Sequence, residues 1–389
     1  MNALCRKANP GARQAGLSLV ELMIALVLGL FIIAAVIQVF SSSRLTYSMS
    51  DGLARAQENA RFAMEIVNRD LRMSGGSAIC AGAPLEPTIW VDPDDMPEVA
   101  ALLDGQMSLL GWEYGNSGAD DDFELDTAIE FGQASDWSDG QSGLPEFLQD
   151  RALAGSDVLG VRNMHASDSD ITGCNNNNIN AANIGTCSRA NDGDNPPLAH
   201  GVQQGDLWAV VDCGGGFMDV CRQTNAGSAT NLNCAAGGGN ISKGGDSWDI
   251  KYANQTELYR PEVTYFYVGE SQRTAGRRAL FRAINCHGSN IAAGCRVEEL
   301  VEGVESLQLF FRVDGDDNLY AADSIPGNDW EPVRAAAVNV IVSSPTEVDS
   351  AVREQTFSLD AGLTVSVEDR HIREVYSNTV AVRNRIKVH

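Results

Sequence analysis

Between Leu17 and Phe40 the chain carries a single ionisable side chain, Glu21, in a run that is otherwise apolar or small apart from Gln38. As a helix this run extends about 36 Å at 1.5 Å per residue, enough to cross a hydrocarbon core ~30 Å thick. An ionised acid in such a segment costs on the order of 3 kcal/mol on insertion. Two arrangements offset that cost. The carboxylate can sit at the interface in the first helical turns, where the helix dipole favours it, or it can pair with a positive charge. A cut between Gly16 and Leu17 would create such a charge, the new α-amine of Leu17, four residues upstream of Glu21. Opposite unit charges ~4 Å apart at an effective dielectric of about 20 attract by roughly 4 kcal/mol. Within one helix the two groups are adjacent but constrained. Between two staggered helices they meet freely, and the pairing then sets an axial register.

Cysteine is the second chemically informative residue type. Cys5 lies alone near the start, and Cys80, Cys174, Cys187, Cys213, Cys221, Cys234, Cys286 and Cys295 follow. An even set in the later chain is the arithmetic of disulfides in an oxidising compartment. No Cys-x-x-Cys occurs, and the histidines at 165, 200, 287, 371 and 389 form no zinc-type pair. About 105 pairings of eight cysteines are open; short loops favour Cys174–Cys187 and Cys286–Cys295.

Other chemistry is sparse. The sequence holds no G-x-S-x-G elbow, Walker loop or HExxH motif, so no catalytic residue and no cofactor is expected. Gly237, Gly238 and Gly239 lack the strand-to-helix setting of a phosphate loop. Asp314, Asp316, Asp317 and Asn318, like the acids at 120–122, offer oxygen ligands but lack EF-hand spacing; acidic turn residues explain them as well. Trp112, Trp137, Trp208, Trp248 and Trp330 fit core or hairpin anchors better than an adhesive surface. A formal charge of −24, from 52 acids against 28 bases, argues against nucleic-acid binding.

These residues imply the elements that must hold them. Arg6, Lys7 and Arg13 precede the apolar run, which predicts a cytoplasmic N-terminus and a periplasmic remainder. The better cleavage site lies before the run, because 41–44 offers only a weak site after it. Beyond Phe40, Leu45, Met49, Leu53, Ala56, Ala60, Ala63, Val67 and Leu71 recur at spacings of three and four, so the helix continues as an amphipathic segment to Gly75-Gly76. Strand-like runs follow at 127–131, 157–162, 206–212, 262–269, 279–283, 306–313, 336–343 and 363–367. Polar stretches at 175–180, 190–197 and from 214–216 through 237–239 read as loops. The expected division is a leader, 1–16, a membrane or filament-core helix, 17–40, an amphipathic continuation, 41–75, and one β-rich head, 76–389. A split of that head near 165–200 is the alternative.

Gly16-Leu17-Ser18-Leu19-Val20-Glu21 resembles the type IV prepilin cleavage motif: a glycine, an apolar residue, three further residues and a glutamate. Leucine stands at the first mature position, where phenylalanine is commonest in that family. The resemblance implies cleavage after Gly16 by a prepilin peptidase, N-methylation of Leu17 and a docking role for Glu21. Several later phrases resemble the PilW family, among them Gly155-Ser-Asp-Val-Leu-Gly-Val-Arg162, Gly205-Asp-Leu-Trp-Ala-Val-Val-Asp-Cys213, Ala279-Leu-Phe-Arg282 and Val301-Glu-Gly-Val-Glu-Ser-Leu-Gln-Leu-Phe-Phe311. The phrases 330–340 and 380–385 complete the set.

That resemblance implies an α+β, pilin-like fold, with a long helix packed on an antiparallel sheet and disulfide-braced loops. It implies a minor pilin that helps initiate a type IV pilus near its tip, with other minor pilins, the major pilin and the inner-membrane assembly machinery as partners. Before assembly the inner membrane holds the chain; afterwards the head stands on the cell surface. Two alternatives stay open, a minor pseudopilin of type II secretion and a membrane-anchored adhesin.

Overall fold

The computed structural model describes residues 18–75, 80, 86–94, 103, 108–140, 143–166, 171–175, 183–189, 202–213, 216–225, 231–241, 256–286, 295–348 and 351–382. One helix occupies Leu19–Met73. The chain divides into two compact units, Met1–Asp51 and Gly52–His389. Among its described residues the first unit is helix alone. The second holds the end of the helix and every described strand.

The largest sheet is organised by the strand Thr256–Glu270. One edge of this strand pairs with Val158–Ala166, while the other serves Leu207–Asp212 through its first residues and Arg278–Ile284 through its last. Leu109–Tyr114 extends the sheet beyond Val158–Ala166, and Arg296–Glu302 extends it beyond Arg278–Ile284. Gly303 then turns the chain at φ 91° directly into Val304–Val313, the start of a second sheet. Only glycine adopts that φ without strain.

The second sheet runs Leu319–Tyr320, Val304–Val313, Val333–Ser343, Arg373–Ala381. Its two central strands are buried on both faces, and each face serves a different core. Leu307, Leu309 and Phe311 join the main core with Ala336, Val338 and Val340. Phe310, Ala337 and Ile341 point the other way, onto Leu363, Val365 and Val367. Period-two alternation thus appears as two apolar sets rather than as apolar and polar. A smaller cluster around Trp90, Trp208, Val210 and Cys221 fills the far end of the head. Trp112, Trp137 and Trp330 are likewise buried, which makes them core anchors; Trp248 lies outside the described residues.

Three sequence expectations need correction. First, the head is not wholly antiparallel: Glu86–Ile89 pairs parallel with Phe217–Arg222, and Asp122–Glu124 pairs parallel with Thr364–Asp369. Second, residues 127–131 form no strand; only Phe131 bridges, to Leu153. The Arg278 guanidinium takes the carbonyls of Asp126 and Ala128 at 2.7 and 2.8 Å, while the Asp126 carboxylate accepts the Ala128 N–H. Those backbone groups are occupied before a neighbouring strand could use them. Third, Asn175 ends a strand, Ile171–Asn175, which pairs with Asn183–Arg189 where loop was expected, and the expected loop from 214 through 239 holds the strands Phe217–Arg222 and Asn231–Ala235, paired with Leu207–Asp212 and Asn183–Arg189. The rest of 176–180, and 190–197, lie outside the described residues.

Three disulfides occur among the described residues: Cys80–Cys213, Cys221–Cys234 and Cys286–Cys295. Cys187 is also disulfide-bonded, and its Cα lies opposite that of Cys174 in the strand register.

Arg278 is a heavily engaged buried cation. Besides Asp126 and Ala128 it donates to the carbonyls of Ala154, 2.8 Å, and Glu305, 3.1 Å. Burial lowers its pKa against the pull of Glu305 and Asp126. Replacing it would take the donor from four carbonyls, that of Glu305 buried and the other three partly buried. Arg278→Met is therefore expected to destabilise the head by about 3–5 kcal/mol, read as a lower urea midpoint for the purified chain.

Candidate assembly site

The helix begins at Leu19, with the Leu22 N–H donating to the Ser18 carbonyl at 3.1 Å. Glu21 lies in the first turn, where unpaired backbone N–H groups and the dipole favour an anion. From Leu22 to Phe40 every large apolar side chain in the unit is exposed, Phe31 at 70% and Phe40 at 62% among them. Contiguous apolar surface on this scale needs lipid or other helices as its solvent. Among the described residues this helix is long and apolar enough to cross a membrane. Gly16 and Leu17, the expected cleavage and methylation positions, lie outside the described residues.

From Gly52 onward the helix packs on the head. Gly52 sits mid-helix, where glycine costs about 1 kcal/mol relative to alanine. Its neighbours explain it: a Cβ there would lie 3.1 Å from the Ser344 Cβ and 3.2 Å from a Val348 methyl. Ala56, Ala60 and Ala63 continue the close approach, and Val67 and Leu71 complete a fully buried face. Among the stripe residues, Leu45 is exposed. Asn59 donates to the Glu302 carbonyl at 3.0 Å, tying the helix to the edge strand. Asp70 is buried beside Arg69, 3.3 Å, and Arg282, 3.9 Å. Its burial raises the carboxyl pKa against the pull of Arg69.

The helix end is stitched to residues 155–162. The Gly75 N–H donates to the Arg162 carbonyl, and the Arg162 Nε returns to the Gly75 carbonyl, both at 3.0 Å. Arg162 Nη1 also reaches the Leu103 carbonyl at 2.8 Å. At the other end of the segment, Ser306 donates to the Gly155 carbonyl at 2.8 Å, and the Leu307 N–H donates to the Ser156 hydroxyl at 3.0 Å. The Asp157 carboxylate accepts the Tyr114 N–H, 2.9 Å, and the Leu309 N–H, 2.8 Å, which belong to different sheets. A third buried polar group, Arg373, is 0% exposed and pairs with Glu305 and Asp369 at 2.5 Å each. Burial raises the Asp369 pKa, but its bonds to Arg373 and the His371 N–H outweigh burial, so the net shift is downward.

The acidic groups read as possible cation ligands have other partners. Asp314 pairs with Arg334 at 3.4 Å. Asp316 accepts the Tyr320 hydroxyl at 2.6 Å and the Asn318 N–H at 2.9 Å, the geometry of a hairpin turn. Asp121 accepts the Gly118 N–H at 3.0 Å. Among the described residues no group of acids, histidines and cysteines is placed to hold a metal. His165 pairs with Glu262 at 3.5 Å; His200, His287 and His389 lie outside the described residues.

Two matches with known families coincide with these two parts. Residues 11–37 match the prokaryotic N-terminal methylation motif. Residues 265–384, which contain Arg278, Glu305 and Arg373, match the type IV pilus-assembly protein W family. Over those residues the chain is similar to PilW-like type IV pilins. Proteins of that family are structural pilus components rather than enzymes. Among solved structures, a type IV-like pilin from Thermus thermophilus is similar at 16% identity, covering 33% of this chain and 70% of that one, with a TM-score of 0.21. No curated protein matches the chain.

The family match carried no signal for Asp157 or Arg278 as individual residues. In this chain both act by satisfying backbone groups from distant segments, and no local motif announces that. Asp157 also makes stability depend on pH. Burial pushes its pKa up to about 8 against the pull of the two N–H donors. Glu113 is pushed up by burial and by the Asp157 charge. Both folded-state values exceed those of free acids, so the folded head binds more protons than the unfolded chain between pH about 4 and about 8. This contribution is full at the acidic end and is lost as pH rises. Asp369 shifts the other way, so its contribution falls away only at acidic pH, near and below the free-acid value of about 4. The thermal midpoint is expected to fall between pH 5.5 and 8.5 by an amount reflecting about 1–3 kcal/mol, and Asp157→Asn should flatten that slope in a differential scanning series.

Proposed function

We propose that this pilin is made as a precursor, cut after Gly16 by a prepilin peptidase and N-methylated at Leu17. Until assembly its apolar helix holds it in the inner membrane, N-terminus inward and head in the periplasm. It then enters a type IV pilus as a minor pilin, taking part in initiation beside other minor pilins and the major pilin, at or near the tip. The observation that carries this reading is Glu21, the lone acid in the first turn of an exposed apolar helix, within the stretch that matches the methylation motif. Its carboxylate pairs with the Leu17 amine of a neighbouring subunit. Desolvated opposite charges at that depth compensate each other, whereas either alone is costly.

Mass spectrometry of the mature chain should find N-methylated Leu17 at the terminus, and Gly16→Val should leave the full-length precursor in the inner membrane. Normal processing of that variant would sink the cleavage assignment. Glu21→Ala should still insert yet lower pilus content by at least tenfold, the effect of losing little more than ~1.4 kcal/mol. Wild-type piliation in that variant would remove the docking role.

A further inference from the structure

We infer that Phe40, Arg44 and Tyr47 form a face that binds the phosphodiester headgroup of a phospholipid, in the leaflet on the periplasmic side of the membrane. The inference rests on the proposed placement of the helix in the inner membrane with its N-terminus inward. It concerns how deep that helix sits and what holds it there.

Spacings of four and three residues put these side chains on one side of the helix, one turn above another. All three are exposed, Phe40 at 62% and Tyr47 at 75%. The Arg44 Cζ lies over the Phe40 ring, 5.8 Å from its centre. This cation–π contact turns the arginine back toward the apolar run, the direction that helical side chains favour. Thr46 and Ser48 spend their hydroxyls on the Ser42 and Leu45 carbonyls of their own helix, at 3.0 and 2.9 Å. The Arg44 guanidinium and the Tyr47 hydroxyl are the long-reaching donors of this stretch.

Depth identifies the acceptor. Residues 22–40 rise about 28 Å, close to the ~30 Å of a hydrocarbon core. With that run in the core, Ser41, Ser42 and Ser43 begin the polar zone. The Arg44 head, leaning back over Phe40, then lies at the level of the lipid phosphates. Arg44 is also the only lysine or arginine from 17 through 54. A cation on the periplasmic side gains nothing from the positive-inside bias; a phosphodiester gives it a partner. The planar guanidinium donates two parallel N–H bonds to phosphate oxygens. The Tyr47 hydroxyl supplies a third donor, and the Phe40 ring packs beside the first acyl methylenes. Removal of residues 1–16 takes away Arg6, Lys7 and Arg13, which leaves Arg44 as the side-chain cation that fixes the depth of the helix until extraction.

The test uses the full chain with Cys5→Ser and a nitroxide attached at Ser43→Cys. Vesicles would be made of dioleoylphosphatidylcholine and, separately, of digalactosyldiacylglycerol in phosphate buffer. Both lipids are uncharged overall, and only the first carries phosphate. Depth would be read from the accessibility of the spin label to oxygen and to a nickel chelate. In phosphatidylcholine Arg44→Gln should move the label toward the bilayer centre by at least ~3 Å, the rise of two residues. In the galactolipid the same variant should leave it in place. Tyr47→Phe should move it the same way by less, and no movement would remove the tyrosine from the site. Equal depths for wild type and Arg44→Gln in phosphatidylcholine, or the same movement in both lipids, would overturn the assignment. An unmoved label together with a lowered pilus content in that variant would give the face to a neighbouring subunit instead. Extraction of the chain from the vesicles by carbonate would defeat the membrane placement, and the lipid site with it, so the two failures are told apart.

Discussion

Backbone groups that fold into the interior must find partners there, and residues 155–162 supply them for three elements at once. The segment receives the last turn of the helix through Arg162, the strand Leu109–Tyr114 through Asp157, and the second sheet through Gly155, Ser156 and Asp157. None of these bonds is unusual alone, and each contributes on the order of 1 kcal/mol. Their importance comes from the cost of leaving any one unmade inside the core. Arg278 plays the same part for the carbonyls of Asp126, Ala128, Ala154 and Glu305, and Arg373 holds the carboxylates of Glu305 and Asp369. The head is thus a set of apolar layers whose relative positions are decided by a few buried polar groups.

Division of labour along the helix follows from side-chain size. In the first unit large branched and aromatic residues point outward, and only a solvent of lipid or neighbouring helices suits them. From Gly52 onward glycine and alanine replace them on the packed face, so the backbone approaches the head closely. Residues with little side chain offer little burial each. The gain lies in the larger residues they admit, since Val67, Leu71 and the strand side chains opposite them become fully enclosed.

Much of this was legible in the residue order. The charge-free run and the spacing of Ala56, Ala60, Ala63, Val67 and Leu71 gave the helix its length and its packed face. The β-rich runs at 306–313 and 336–343 marked the strands Val304–Val313 and Val333–Ser343. Arg373–Ala381 was missed because it is an edge strand with alternating polar residues and weak apolar content. Phe217–Arg222 was missed for a related reason, being short and flanked by glycines. Residues 127–131 were over-read because strand propensity is local, whereas the Arg278 guanidinium that claims their neighbours' carbonyls arrives from 150 residues away. Periodicity reports burial well, but it is blind to which distant group will satisfy a given carbonyl.

The disulfide between Cys80 and Cys213 spans 133 residues. During synthesis Cys174 and Cys187 both emerge before Cys213, so oxidation in order of appearance would capture Cys80 with the wrong partner. Reaching the native bond then requires thiol–disulfide exchange, by attack of a free thiolate on the premature bridge. Under that order of oxidation, maturation of this head depends on the thiol-shuffling capacity of its compartment.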